Sequence, residues 1–214
     1  RGSGKHGVVL VHPYHGSRAE WGDLPEVLDG QGANVVSIDL RGHGDSKGEI
    51  DGPKMVEDVK AAVGYLRKKG VEKVTIIGAG LGANVALAAA AADAEVTDVV
   101  MITPRLDANG VKVSTSLKGF GRRPLLLISG SDDSLSIKAS EMIADRVDTA
   151  RVEVLSAEGT GLKLINRDSN IQGILVSWFN GAYAVASGDS SLDLNTEGGQ
   201  QLETTGVKLG EKKK

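Results

Sequence analysis

The run Val74-Thr75-Ile76-Ile77-Gly78-Ala79-Gly80-Leu81-Gly82-Ala83 decides the fold class. Its first four residues are β-branched and read as a short buried strand. Glycines at 78, 80 and 82 read as a tight turn. The stretch Gly82–Ala92 is nearly all Ala and other small residues, so it reads as a helix able to lie close against a sheet. Strand, glycine turn and close helix form the repeating unit of an α/β protein.

Outward from this unit the alternation continues. Val8–Val11, Val35–Leu40, Val99–Ile102, Leu125–Ser129 and Val152–Leu155 are short and apolar throughout, as strands covered on both faces are. Helices are expected over Trp21–Leu28, Lys54–Lys69, Ile137–Val147 and Asn170–Tyr183. In Lys54–Lys69 the apolar residues 55, 56, 59, 62, 63 and 66 fall on one face, with Pro53 before the start and Gly70 after the end. The prediction is a doubly wound, mostly parallel sheet of about six strands with helices on both faces. The domain spans 1–185. From Ala186 the composition turns to Ser, Gly, Asp, Thr, Glu and Gln, and 186–214 reads as a polar, flexible or partner-docking tail carrying a few scattered leucines.

Composition narrows the function. The 214 residues are 40% hydrophobic with only seven aromatics, so the core is aliphatic. A net charge of −3 gives no reason to expect nucleic acid or an anionic membrane. With no Cys, thiol chemistry, disulfides and Cys-ligated metals are excluded. No apolar run approaches the roughly 18 residues of a membrane span. The sequence starts at Arg1 rather than Met and reads as a processed or truncated chain; a soluble protein is expected, its compartment open, with the periplasm or the exterior compatible with such processing. Four histidines occur, at 6, 12, 15 and 43, and none follows.

Two further motifs carry a resemblance. The first strand runs into His12-Pro13-Tyr14-His15-Gly16-Ser17-Arg18, followed by Trp21. The second ends in Asp39-Leu40-Arg41-Gly42-His43-Gly44-Asp45-Ser46, a D-x-R-G-H-G-x-S pattern. In these stretches the chain resembles the α/β-hydrolase family, and within it the small dienelactone-hydrolase-like esterases. Order and spacing fit over about residues 7–182, with two N-terminal strands common in that family missing.

The resemblance implies a triad in the order Ser, Asp, His, with the Ser in a G-x-S-x-G turn. Here that turn is Gly78-Ala79-Gly80-Leu81-Gly82, so the nucleophile position is Gly80 and carries no oxygen. The acid position falls on Asp133, with Asp132 beside it in Gly130-Ser131-Asp132-Asp133. The base position falls on Thr160, in Ala157-Glu158-Gly159-Thr160-Gly161, and a hydroxyl does not accept a proton near neutral pH as imidazole does. The backbone N–H groups of Tyr14 and Leu81 are the oxyanion-hole, or anion-binding, positions. Asp133 also reads as the cap of a helix starting near Ser134–Ser136.

The same residues admit other readings. Gly78-Ala79-Gly80-Leu81-Gly82-Ala83 is a literal G-x-G-x-x-A, but the next strand ends Thr103-Pro104 without the acid that would hold a ribose. His12, His15 and His43 all follow strands and share one sheet edge, yet His12 and His43 read as loop-structuring residues, and no metal is expected. Arg122 and Arg123 read as solvated charge. The preferred reading is a catalytically inactive α/β-hydrolase homologue, a binding or structural subunit for a protein partner or larger assembly, or for a small ligand in the vestigial pocket. No cofactor is expected. The alternatives are a carboxylester or dienelactone-type hydrolase with a replaced or unrecognised nucleophile, and a dinucleotide-binding protein.

Overall fold

A computed structural model describes residues 1–167 and 170–183. The predicted tail, 186–214, lies outside the described residues. A six-stranded parallel sheet forms the centre, from β1 (His6–Val11), β2 (Ala33–Ile38), β3 (Lys73–Ala79), β4 (Asp98–Ile102), β7 (Leu125–Gly130) and β8 (Ala150–Leu155). Between β4 and β7 a small antiparallel hairpin pairs β5 (Asp107–Ala108) with β6 (Val111–Lys112). The spatial order is β2-β1-β3-β4-β7-β8. All six strands of the main sheet were legible in the sequence, and the parallel arrangement is the predicted one.

Strand alternation divides the core into two layers. Val9 and Val11 of β1 and Val74 and Ile76 of β3 face one side, covered by α2 (Gly52–Lys68), α3 (Leu81–Ala91), α4 (Val113–Phe120) and α5 (Ser134–Ala144). Val8, Leu10, Ile77 and Ala79 face the other, covered by α1 (Leu24–Gly30), α6 (Leu162–Arg167) and α7 (Asn170–Phe179). The Ala-rich α3 has Ala83, Ala86, Ala89 and Ala90 buried, the close-lying core helix that its composition predicts. At the β2 edge, Arg1 and Val35 exchange both backbone hydrogen bonds, at 2.8 and 2.7 Å.

Several elements differ from expectation. The segment before α1 forms a short 3-10 turn (Arg18–Trp21), and α1 itself begins only at Leu24, with Pro25 in its first turn. Helix α5 starts at Ser134, before the Ile137 of the apolar run but where the cap reading of Asp133 put it, with Asp133 Oδ1 accepting the Ser136 N–H at 3.0 Å. Helices α4 and α6 and the hairpin were not anticipated. Arg123 is not solvated charge. Its guanidinium donates to the carbonyls of Ala90, Asp93 and Val96 beyond and within the end of α3, and to Phe120 at the end of α4. Ala90 and Phe120 stand in the last turns of α3 and α4, where a cation suits the helix dipole.

One charge is buried at the opposite end of the sheet from the glycine turn. Asp98 accepts from Trp178 Nε1 at 2.7 Å and from the Thr75 hydroxyl at 3.0 Å, and Thr75 in turn contacts His6 Nε2 at 2.8 Å. Burial pushes the Asp98 carboxyl up to about 6, more than these hydrogen bonds lower it.

Candidate functional site

Strand β1 leads into α1 on one face of the sheet, and the adjacent β3 leads into α3 on the other. A crevice opens at such a reversal, beyond the carboxyl ends of the strands. A cavity of about 650 Å³ lies there, within the range of small-molecule sites. Pro13 and Tyr14 from the β1 loop, Gly80 and Leu81 from the β3–α3 turn, Arg105 after β4, the hairpin and the 160–163 segment line it.

Gly80 stands at the tip of the turn with φ +55° and ψ −118°, a conformation that L side chains seldom adopt. Its N–H donates to Ile102 O at 2.9 Å, fixing the turn to β4. A Cβ at this position would lie 3.1 Å from Pro13 Cβ. The flanking glycines have packing reasons of their own. A Cβ on Gly82 would meet Val11 O at 2.3 Å, and one on Gly78 would meet Gly82 O at 2.2 Å. These two glycines are accounted for by the close approach of α3 to β1 at Gly82 and to β3 at Gly78, without any pyrophosphate.

Asp133 and Thr160, predicted as acid and base positions, are brought together, but through a residue the sequence reading did not single out. Arg105 Nη2 donates to Asp133 Oδ2 at 2.9 Å and to Thr160 Oγ1 at 3.1 Å. Arg105 Nη1 donates to Pro104 O at 3.1 Å. The guanidinium thus bridges the acid and base positions, and arginine stays protonated at any physiological pH. Nearby, Thr103 is buried with φ +48°, a strained setting for a β-branched residue. Its hydroxyl accepts the Gly161 N–H at 2.7 Å, which ties the 160 segment to the end of β4. Asp132 accepts the Gly159 N–H at 2.9 Å and serves the same loop.

Asn84 holds this arrangement from α3. Its side chain is buried, donates to Arg105 O and Val111 O at 2.8 Å each, and accepts from Arg105 N at 3.1 Å. One amide therefore fixes both Arg105 and the hairpin, whose Asn109 and Gly110 turn residues both have positive φ. The Asn-Gly pair between Ala108 and Val111 was the available signal for the hairpin. No local pattern marks Arg105, whose partners lie 28 and 55 residues further along the chain.

The histidines of the two loop motifs do structural work. His12 Nε2 accepts the Leu40 N–H at 3.0 Å and Nδ1 contacts Pro13 O at 2.8 Å. Burial lowers the His12 pKa against the raising effect of Pro13 O, so the ring is neutral at neutral pH. His43 Nδ1 contacts Arg41 O at 3.0 Å. Asp39 accepts the backbone N–H groups of Arg18 (2.7 Å) and Asp45 (3.0 Å) and pairs with the Arg18 guanidinium. Burial alone would raise its pKa, but those N–H donors and Arg18 together hold it below the usual carboxylate range. His15 lies on the cavity wall with its ring 3.9 Å from that of Tyr14. Among the described residues, no group of three or more His, Asp or Glu is placed to hold a metal ion.

The fold and the cavity define a protein of the α/β class whose site sits at a strand-to-helix turn on the carboxyl edge of the sheet. The chain belongs to the alpha/beta hydrolase fold family, whose model matches residues 8–118, more than half its length. Among curated proteins no sequence matches. Solved structures similar to it include a monoacylglycerol lipase from Paleococcus ferrophilus (17% identity, TM-score 0.70, covering 84% of this chain and 96% of that one). The esterase Pf2001 of Pyrococcus furiosus is also similar (20% identity, TM-score 0.68, 84% and 81%). So is Est1E from Butyrivibrio proteoclasticus, solved with ferulic acid (16% identity, TM-score 0.66, 82% and 87%). At these identities the likeness speaks for the fold alone. No helix among the described residues is long and apolar enough to cross a membrane.

Proposed function

We propose that this chain is a non-catalytic member of its family that acts by binding, with a small ligand in the cavity beside Gly80. One observation carries the reading: the turn tip has no side-chain oxygen, and Arg105 joins Asp133 to Thr160 where an acid–base pair would have to work. A permanently protonated guanidinium cannot accept a proton, and a threonine hydroxyl does so poorly. The cavity itself remains formed. Pro13, Leu81, Ala108 and Leu162 give it apolar surface, and Arg105 and Thr160 give it polar groups. The backbone N–H groups of Tyr14 and Leu81 are proposed as its anion contacts; those at the start of α3 have no intrahelical acceptor. A role as a subunit of a larger assembly belongs to the same reading.

Ester hydrolysis is the second reading, supported by the family and by esterases and lipases among the structural neighbours. It requires a nucleophile other than residue 80. Thr160 and His15 both line the cavity and are the groups it would draw on. Purified protein incubated with p-nitrophenyl acetate and a fluorophosphonate probe decides between them. The binding reading expects neither turnover nor adduct, together with a raised melting temperature for members of a panel of small esters and acids that includes ferulic acid. An adduct on any Ser or Thr, located by peptide mass spectrometry, overturns it.

A further inference from the structure

A second concavity, of about 520 Å³, lies between α4 and α5 and shares no lining residue with the cavity at Gly80. Leu106, Val113, Leu117, Met142 and Ile143 give it apolar walls. Leu106 is 40% exposed, a large apolar side chain left to solvent. Lys118 and Arg146 also line the groove, are exposed, and form no ion pair among the described residues. The groove thus offers an apolar floor between two uncompensated cations.

The sequence beyond the last described residue has the complementary chemistry. Between positions 184 and 207 there are four carboxylates, Asp189, Asp193, Glu197 and Glu203, and no Lys or Arg. Within it, Asp189-Ser190-Ser191-Leu192-Asp193-Leu194-Asn195-Thr196-Glu197 flanks two leucines with three acids. Its starting point is well placed. Tyr183 feels the charges of Glu153 and Arg151 on β8, the edge strand, and α5 packs on β7 and β8. Nine residues from Tyr183 to Leu192 span about 30 Å when extended, about the diameter of a small domain.

We propose that residues 189–197 dock in the α4–α5 groove of their own chain, the leucines on its apolar floor and the acids against Lys118 and Arg146. Leucine burial supplies the attraction, and the charges select this segment over the Lys-rich terminus at 212–214. The covalent tether raises the local concentration of the segment to the millimolar range, so a weak contact suffices.

Absence of native cysteine makes the test direct in the full chain. Ser114→Cys, on the exposed groove wall, is combined with Leu192→Cys or, as control, with Leu209→Cys. In a glutathione redox buffer the 114–192 disulfide is expected to form within one chain at least tenfold more readily than 114–209. Lys118→Glu with Arg146→Glu should abolish that preference. Adding Asp189→Lys, Asp193→Lys and Glu197→Lys should restore it, which a mere loss of folding would not permit. Equal bonding at 192 and 209, indifference to charge reversal, or bonds formed only between chains (a second copy as occupant) would overturn the proposal.

Discussion

Placing a serine at the turn tests the site most sharply. Gly80→Ser supplies the missing oxygen on the residue with φ +55° and ψ −118°. Such a conformation costs a non-glycine residue about 1–3 kcal/mol. The new Cβ also meets Pro13 Cβ at 3.1 Å, so the pyrrolidine must yield by a few tenths of an ångström. A modest fall in melting temperature with an intact fold is expected. Catalysis should not follow. The predicted base position holds Thr160, bound to Arg105, rather than imidazole, and a serine without its base loses about 10⁶-fold in kcat, roughly 8 kcal/mol of barrier. Removing the guanidinium and supplying a base together should recover part of this. The triple variant Gly80→Ser, Arg105→Ala, Thr160→His frees Asp133 to hold an imidazole at position 160. Stopped reactions with p-nitrophenyl acetate and fluorophosphonate labelling give the readout, with Gly80→Ser silent and the triple variant labelled at position 80. Rapid labelling of Gly80→Ser alone would refute the reasoning, because some side chain in the cavity would then be acting as a base.

Two other perturbations follow from the packing. Asn84→Ala leaves Arg105 N, Arg105 O and Val111 O short of their partner, so urea unfolding should report a loss of about 2–3 kcal/mol, with faster amide exchange in the hairpin. Asp98→Asn keeps an acceptor for Trp178 and reverses the Thr75 bond, the amide N–H donating to the hydroxyl, while removing the buried charge. Because the folded pKa, about 6, lies above the ordinary 3.8, ionisation costs the wild type stability fully above pH 6 and not at all below 3.8. The variant should therefore exceed the wild type by up to roughly 3 kcal/mol at pH 8, a margin that shrinks as pH falls from 6 to 4. Burial of His6 works in the opposite direction near pH 6.5, but it is common to both proteins and drops out of the difference. A margin constant from pH 4 to 8 would contradict the burial argument.

What was legible in the sequence follows from the kind of signal each element leaves. Parallel strands covered on both faces must be apolar at every position, so β1, β3, β4 and β7 stand out as unbroken runs. Helix α4 does not. Val113-Ser114-Thr115-Ser116-Leu117-Lys118-Gly119-Phe120 is rich in poor helix formers, and only the spacing of 113, 117 and 120 betrays it. Tertiary packing overrides its propensity: Val113 and Phe120 are buried, and Gly119 lets α4 approach Ala91 of α3. Arg123 misleads for a related reason. Its value lies in carbonyls that two helices present together only after folding. The positions of Gly80, Asp133 and Thr160 could be located from motif order, because each is attached to the end of a particular strand. Their chemistry could not be completed that way.

Arg105 supplies the missing part of that argument. Taken alone, the glycine at 80 and the threonine at 160 are two separate departures from the triad pattern that the resemblance implies. With Arg105 in place they form one arrangement, in which an acid at 133 keeps a partner although no imidazole is present. Asp133 has 9% of its side chain exposed, and burying an unpaired carboxylate there would be costly. Arg105 removes that cost, and Thr160 accepts its other Nη2 proton, where a doubly protonated imidazole would repel the guanidinium. Asn84 then fixes the backbone of Arg105 to the first turns of α3, so the glycine turn and the guanidinium are held by the same helix. The ion pair, its hydroxyl partner and its buried amide clamp hold this wall of the cavity in one arrangement, the property on which the proposed binding role draws.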